Sequence, residues 1–214
     1  MSRRTLVIAI TAVAVLGFSA AAFYYNRATT PVQVTAPVQD SSALVRFNAP
    51  SFGPAKASVT VVEFFDPSCE SCRAFYPIVK QMMAKHPNDI RLVLRYVPLH
   101  VGSEQAIRLL ETARKQGVYP QVLEAVLESQ PQWHDDANAT AAWTAAIQAG
   151  LDEAKAREIL MSAEITATIA RDAADAKTLG VTRTPSFFVN GKPLTNFGAQ
   201  PLYDLIRSEM STPR

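Results

Sequence analysis

An α/β fold carrying an inserted block of helices is what this sequence predicts, and three observations predict it. Residues 59–65 (Val-Thr-Val-Val-Glu-Phe-Phe), 90–97 and 186–189 are short, β-branched and aromatic, the pattern of buried strands. Residues 103–179, by contrast, are rich in Ala, Glu, Leu and Gln at helical spacing. Between the first two strand patterns lies a helix pattern that opens at the chain's only two cysteines, Cys69 and Cys72.

Each element has a local cause. Asp66-Pro67-Ser68 supplies a turn and a cap, and residues 69–85 read as a helix with Pro77 inside it as a kink. The block 103–179 reads as three to five helices, broken near Gly117–Pro120, Gln130-Pro131 and Gly150. Asn190-Gly191 after the 186–189 strand is a two-residue hairpin signal, and Pro201 is placed to open a closing amphipathic helix that runs to about residue 210.

The chain has 214 residues, 48% hydrophobic and 19% charged, with a formal net charge of +2. That is enough chain for one domain with a substantial core. So small a net charge, with no basic stripe, argues against nucleic-acid binding. The N-terminus differs from the rest. Arg3 and Arg4 precede an uncharged apolar run over residues 6–25, about the twenty residues a helix needs to cross a bilayer. The positive flank keeps the start in the cytoplasm, so residues 1–27 are expected to anchor an exported domain in the inner membrane. The rival is a signal peptide cut near Ala20-Ala21-Ala22, which would leave a soluble periplasmic protein. Residues 28–43, with Pro, Thr and Gln and no helical period, read as a linker of roughly 40–50 Å at full stretch. Residues 44–214 are then the folded domain.

Cys69-Glu70-Ser71-Cys72 is the chemically informative segment. A Cys-x-x-Cys at the start of a helix suits thiol–disulfide exchange, because the attacking species is the thiolate. Unpaired N–H groups and the helix dipole favour a negative charge at Cys69. Cys72, one turn on, is less exposed and placed to resolve a mixed disulfide. Glu70 is expected to raise the Cys69 pKa by repulsion, and Ser71 to offset this with a hydrogen bond. Two other readings compete. A structural disulfide across four residues closes too little chain to stabilise much. A metal site would need ligands beyond two thiolates, and His86, His100 and His134 lack ligand spacing to the cysteines, although His100 could lie near them. No metal and no cofactor are expected. Trp133, Trp143 and Met82-Met83 read as packing residues, and Asn138-Ala139-Thr140 as an accidental glycosylation sequon.

With these residues in place, the chain over about residues 45–210 resembles the thioredoxin superfamily, and within it the exported DsbA-like group. Glu63 lies six residues before Cys69, where the superfamily has a buried acid. Pro77 matches its helix-kinking proline, Thr184-Pro185 its cis-proline loop, and the block 103–179 the insertion that marks DsbA-like proteins. The resemblance implies a thioredoxin fold with a helical subdomain and a redox disulfide, Cys69–Cys72. It makes Cys69 the nucleophile, Cys72 the resolving thiol and Glu63 a proton relay whose pKa burial should raise. Pro185, if cis, would leave an open strand edge, with Thr184, for an extended substrate. The bland alternatives place Glu63 at an exposed strand end and make Pro185 an ordinary trans turn residue. The implied partners are exported proteins with cysteines, and a membrane or periplasmic redox partner. Glu70-Ser71 departs from the Pro-His pair of strongly oxidising relatives, so the direction of exchange stays open. A reductase serving cytochrome or copper-site assembly, a non-catalytic metal-binding module and a folding helper remain the alternatives.

Overall fold

The computed structural model describes residues 41–211 of the chain. The expected anchor, residues 1–27, lies outside them, as does most of the expected linker. Among the described residues no helix is long and apolar enough to cross a membrane.

A five-stranded mixed sheet forms the centre: β1 (Ser51–Phe52), β2 (Val59–Phe65), β3 (Ile90–Tyr96), β4 (Ser186–Val189) and β5 (Lys192–Pro193), in the order β1-β3-β2-β4-β5. β2 is the middle strand. It runs parallel to β3, with Val59 opposite Ile90 and Phe65 opposite Tyr96, and antiparallel to β4, with Glu63 opposite Phe187. Both its faces are covered, which explains why Val59–Phe65 reads as a near-continuous apolar run. Helix α1 (Glu70–Lys85) makes the crossover from β2 to β3.

The insertion between β3 and β4 contains five helices: α2 (Ser103–Lys115), α3 (Tyr119–Glu128), α4 (Thr140–Gln148), α5 (Glu153–Ile159) and α6 (Ala163–Thr178). Its breaks fall at the three expected places, where Gly117 and Gly150 take positive φ and Gln130–Gln132 forms a 3-10 turn. A fourth break before α6 was not expected; there Ser162 caps the helix by accepting from the Ile165 N–H. The closing helix α7 (Ala199–Met210) begins two residues before Pro201. Two short features also escaped the reading: the two-residue edge strand β1, and a 3-10 turn at Ser41–Ala43 inside the expected linker.

Strand alternation sorts the core into two layers. Val59, Val61 and Phe65, with Leu92, Leu94 and Phe187, face α1, α7 and the insertion helices in one continuous core. Val62, Phe64, Val93 and Phe188 face the other way, against Leu44 and the end of α6. On that second face Arg95 is fully buried. Its guanidinium bonds Asp172 at 2.7 Å, Asp175 at 2.6 Å and the carbonyls of Ala43 and Leu44, so a buried charge is fully paired and the chain entering the domain is fixed.

The β4–β5 turn confirms its sequence signal in detail. Asn190 and Gly191 both take positive φ, as the tight hairpin turn requires. The Asn190 side chain also accepts from the Thr60 N–H at 2.9 Å, pinning the turn to the end of β2.

Candidate active site

Cys69 is the N-cap of α1, with extended backbone angles (φ −77°, ψ 120°), so the helix begins one residue later than expected. Asp66-Pro67-Ser68 contributes no side-chain cap to it. Cys72 lies in the first turn and is completely buried, while Cys69 is 6% exposed. Both are thiols, so the structure presents the reduced form of the expected Cys69–Cys72 pair. The Cys69 Sγ–H donates to the carbonyl of Thr184 at 3.3 Å, and the Thr184–Pro185 bond is cis. The fold has therefore brought together Glu63, Cys69, Cys72, Thr184 and Pro185 from three separate stretches of chain.

The Cys69 thiol is lowered to about 5. The largest cause is the hydrogen bond from the Cys72 thiol; burial opposes it, and the Thr184 hydroxyl and the N–H groups of Cys72 and Ser71 assist. At neutral pH Cys69 is therefore mainly thiolate, and its bond to the Thr184 carbonyl belongs to the protonated form. The expected rise from Glu70 does not govern the site. Glu70 is exposed to water, which weakens its repulsion, and Ser71 acts through its backbone N–H. Cys72 moves the opposite way, raised well above the ordinary thiol range, chiefly by burial and then by Cys69 and Glu63. One of the paired thiols is ready to ionise and the other is held protonated.

Glu63 is 1% exposed on β2, not at an exposed strand end, and its Oε1 has no hydrogen-bond partner. Burial first, and the Cys69 charge second, push its carboxyl up to about 8. It is mainly protonated at neutral pH. The Thr184 hydroxyl is likewise buried without a partner of its own, leaving it available to a thiolate at Cys69. The two buried polar side-chain atoms without partners among the described residues both belong to this site.

Three residues that hold the site were not read from the sequence as site residues. Asp66, fully buried, accepts from the N–H groups of Ser68, Leu99 and His100, from His100 Nδ1 at 2.7 Å and from the Ser103 hydroxyl at 2.6 Å. It ties the turn before Cys69 to the loop that leads into α2. Ser68 donates to the carbonyls of Val101 and His134. Gln130 donates to the carbonyls of Pro67 and Cys69. Each looked like ordinary turn or helix-break chemistry in sequence, because their partners lie 33 to 66 residues away.

An open cleft of about 550 Å³ lies beside Cys69, lined by Ser68, Glu70, His100, Val101 and His134 among others. Leu99 and Val101 on its border are about half exposed, giving apolar surface next to the sulfur. His100, for which the sequence left open a place near the cysteines, lines the cleft beside Cys69, and Trp133 is a packing residue, 1% exposed. Met82 is buried in the core. Among the described residues no group of three or more His, Cys, Asp or Glu side chains could hold a metal ion.

Fold and site together define the class: that of DsbA-like thiol–disulfide oxidoreductases within the thioredoxin superfamily. Residues 48–206 match the family model described as Thioredoxin, and the chain belongs to that family. It is 33% identical to a thioredoxin-like oxidoreductase from Silicibacter pomeroyi, superposing with a TM-score of 0.72 over 82% of this chain and 100% of that one. The thiol:disulfide interchange protein DsbA of Bordetella parapertussis is 25% identical over 174 residues, 79% of this chain and 81% of that protein. The Na(+)/H(+) antiporter NhaA 3 of Salinispora tropica is 32% identical over 143 residues, 65% of this chain. This chain spans about a fifth (21%) of that antiporter's length, so the likeness is to a segment of a longer protein.

Proposed function

We propose that this protein donates disulfides to cysteines of exported proteins, with Cys69 as the exchanging sulfur and Cys72 as the buried one. The observation that carries the proposal is the split between them, one thiol lowered to about 5 and its neighbour raised by burial. A stabilised thiolate is a good leaving group and makes the reduced pair the favoured form, which is what a disulfide donor needs.

In the first step a client thiolate attacks Sγ of Cys69 in the oxidised pair. The Cys69–Cys72 bond breaks, and the electron pair goes to the Cys72 sulfur. That sulfur takes a proton, for which Glu63, protonated at neutral pH, is the source. In the second step another client thiolate attacks the client sulfur of the mixed disulfide, and Cys69 leaves as thiolate. The client gains one disulfide, the protein holds two more electrons, and Glu63 recovers its proton from solvent. A membrane or periplasmic redox partner bearing a disulfide then reoxidises the pair.

Thr184 and Pro185 sit beside the Cys69 sulfur, where an extended client segment would run, and Leu99 and Val101 in the cleft next to Cys69 would offer it apolar contact. Residues 1–27 would hold the domain at the inner membrane with its site in the periplasm; the length and charge pattern of that segment support this. Equilibration of the reduced and oxidised pair with glutathione tests the direction. A potential of roughly −120 to −180 mV is expected for a donor, whereas one near about −270 mV would make the protein a reductase.

A further inference from the structure

Gln130 sits in the 3-10 turn between α3 and α4, far from the cysteines in sequence, and is completely buried. Its amide nitrogen donates to the carbonyl of Pro67 at 2.7 Å and to that of Cys69 at 2.9 Å. Its amide oxygen accepts from Arg73 Nε at 2.9 Å, which fixes which end of the amide points where. Both ends of its side-chain amide therefore converge on the turn before Cys69 and the first turn of α1.

We propose that Gln130 is a positioning residue for the redox reaction, through which the helical insertion fixes the carbonyls flanking Cys69 and so sets how strongly the start of α1 stabilises the Cys69 thiolate. The inference rests on Cys69 being the exchanging sulfur. Its physical basis is the way the N-cap is built. The N–H groups of Ser71 and Cys72 favour the thiolate only while Cys69 keeps its extended N-cap geometry, and no side-chain cap enforces that geometry. Beside the backbone bonds Cys69 N–H to Asp66 O and Arg73 N–H to Cys69 O, the Gln130 amide is the side chain that grips the backbone there, at the Pro67 and Cys69 carbonyls. Being out of water, its bonds have no solvent competitor. Ser68 and Asp66 attach the same turn to the insertion independently, through Val101, His134, Leu99 and His100, so the turn stays docked when the amide is removed. What changes is its precision.

The test uses Gln130→Met, which keeps the shape and deletes the amide, and Gln130→Glu, which keeps an acceptor for Arg73 and deletes the donors. For each full-chain variant, the Cys69 thiolate is titrated by its ultraviolet absorbance and the pair is equilibrated with glutathione. Both variants are expected to raise the Cys69 midpoint by about one unit, the effect of roughly one net hydrogen bond. The exchange equilibrium should move about tenfold toward the oxidised pair, a potential more negative by about 30 mV. Midpoint and potential unchanged in both variants would overturn the proposal even if thermal stability fell. Loss of the folded state in both would overturn it as well, because the amide would then be holding the fold and not the nucleophile. A wild-type midpoint in the ordinary thiol range would instead count against the reading of Cys69 itself, so the two failures are separable.

Discussion

Replacing Glu63 with Gln keeps the shape of the buried side chain and removes its titration, and the result should be a stability difference that depends on pH. Glu63 moves from an ordinary value of 4.5 to about 8 in the folded, reduced protein. A group whose folded pKa is raised binds more protons folded than unfolded between those values. Its stabilisation is complete below about 4.5 and is lost as pH climbs through 8. Evaluated at pH 5 and pH 8, the Glu63 contribution falls by about 3 to 4 kcal/mol. Other groups titrate in that window, Cys69 above all, but they are common to both proteins and cancel to first order in the difference.

The assay is urea unfolding of wild type and Glu63→Gln under reducing conditions, at steps from pH 5 to pH 8. The variant should gain on wild type steadily across the window, by about 3 to 4 kcal/mol in total. Because part of the rise at Glu63 comes from the Cys69 charge, the gain should shrink when both proteins are oxidised. A difference that stays flat with pH would refute the reasoning, since it would mean that the carboxyl is solvated and titrates normally.

Three further outcomes follow from the same geometry. Thr184→Val removes the partnerless hydroxyl at nearly constant volume and should raise the Cys69 midpoint by about one unit, read from thiolate absorbance. Asp66→Ala removes the acceptor of the buried Ser68 N–H and of the half-buried Leu99 N–H, and the partner of the Ser103 hydroxyl, and should cost about 2 to 3 kcal/mol in denaturant unfolding. Cys72→Ser should trap a client on Cys69 as a stable mixed disulfide, visible by mass on a non-reducing gel and released by dithiothreitol; no adduct at Cys69 would sink the assignment of the exchanging sulfur.

What the sequence made legible was whatever has a short-range signature. The buried β2 strand, the α1 start at the cysteines, the Asn190-Gly191 turn and three of the four breaks in the insertion follow from patterns of two to ten residues. Glu63, by its spacing to Cys69, and Thr184-Pro185, by their place just before the 186–189 strand, were found only because they resemble a known family. No local rule places residue 184 beside residue 69. Asp66, Ser68 and Gln130 stayed hidden for the same reason: a polar residue in a turn looks alike whether it faces water or protein groups far off in the chain. β1 was invisible for a different reason, since two residues carry no period, and Gly53 is needed beside it because a Cβ there would come within 2.3 Å of the Ile90 carbonyl.

The three titrating groups of the site define its working state better than any one of them does. At neutral pH Cys69 carries a charge, while Glu63 and Cys72 mainly do not, so these three groups together hold a single negative charge when reduced. A second charge is opposed twice, by burial and by repulsion from the first. Oxidation removes the Cys69 charge, and with it the part of the Glu63 shift that depends on Cys69. The carboxyl then gives up its proton more readily just when the Cys72 sulfur no longer carries one. Reduction reverses both changes, and the proton is held most tightly at Glu63 when Cys69 is charged. Proton affinity and electron count are therefore coupled through one Coulombic contact, and the insertion residues that fix the position of Cys69 also fix the strength of that coupling.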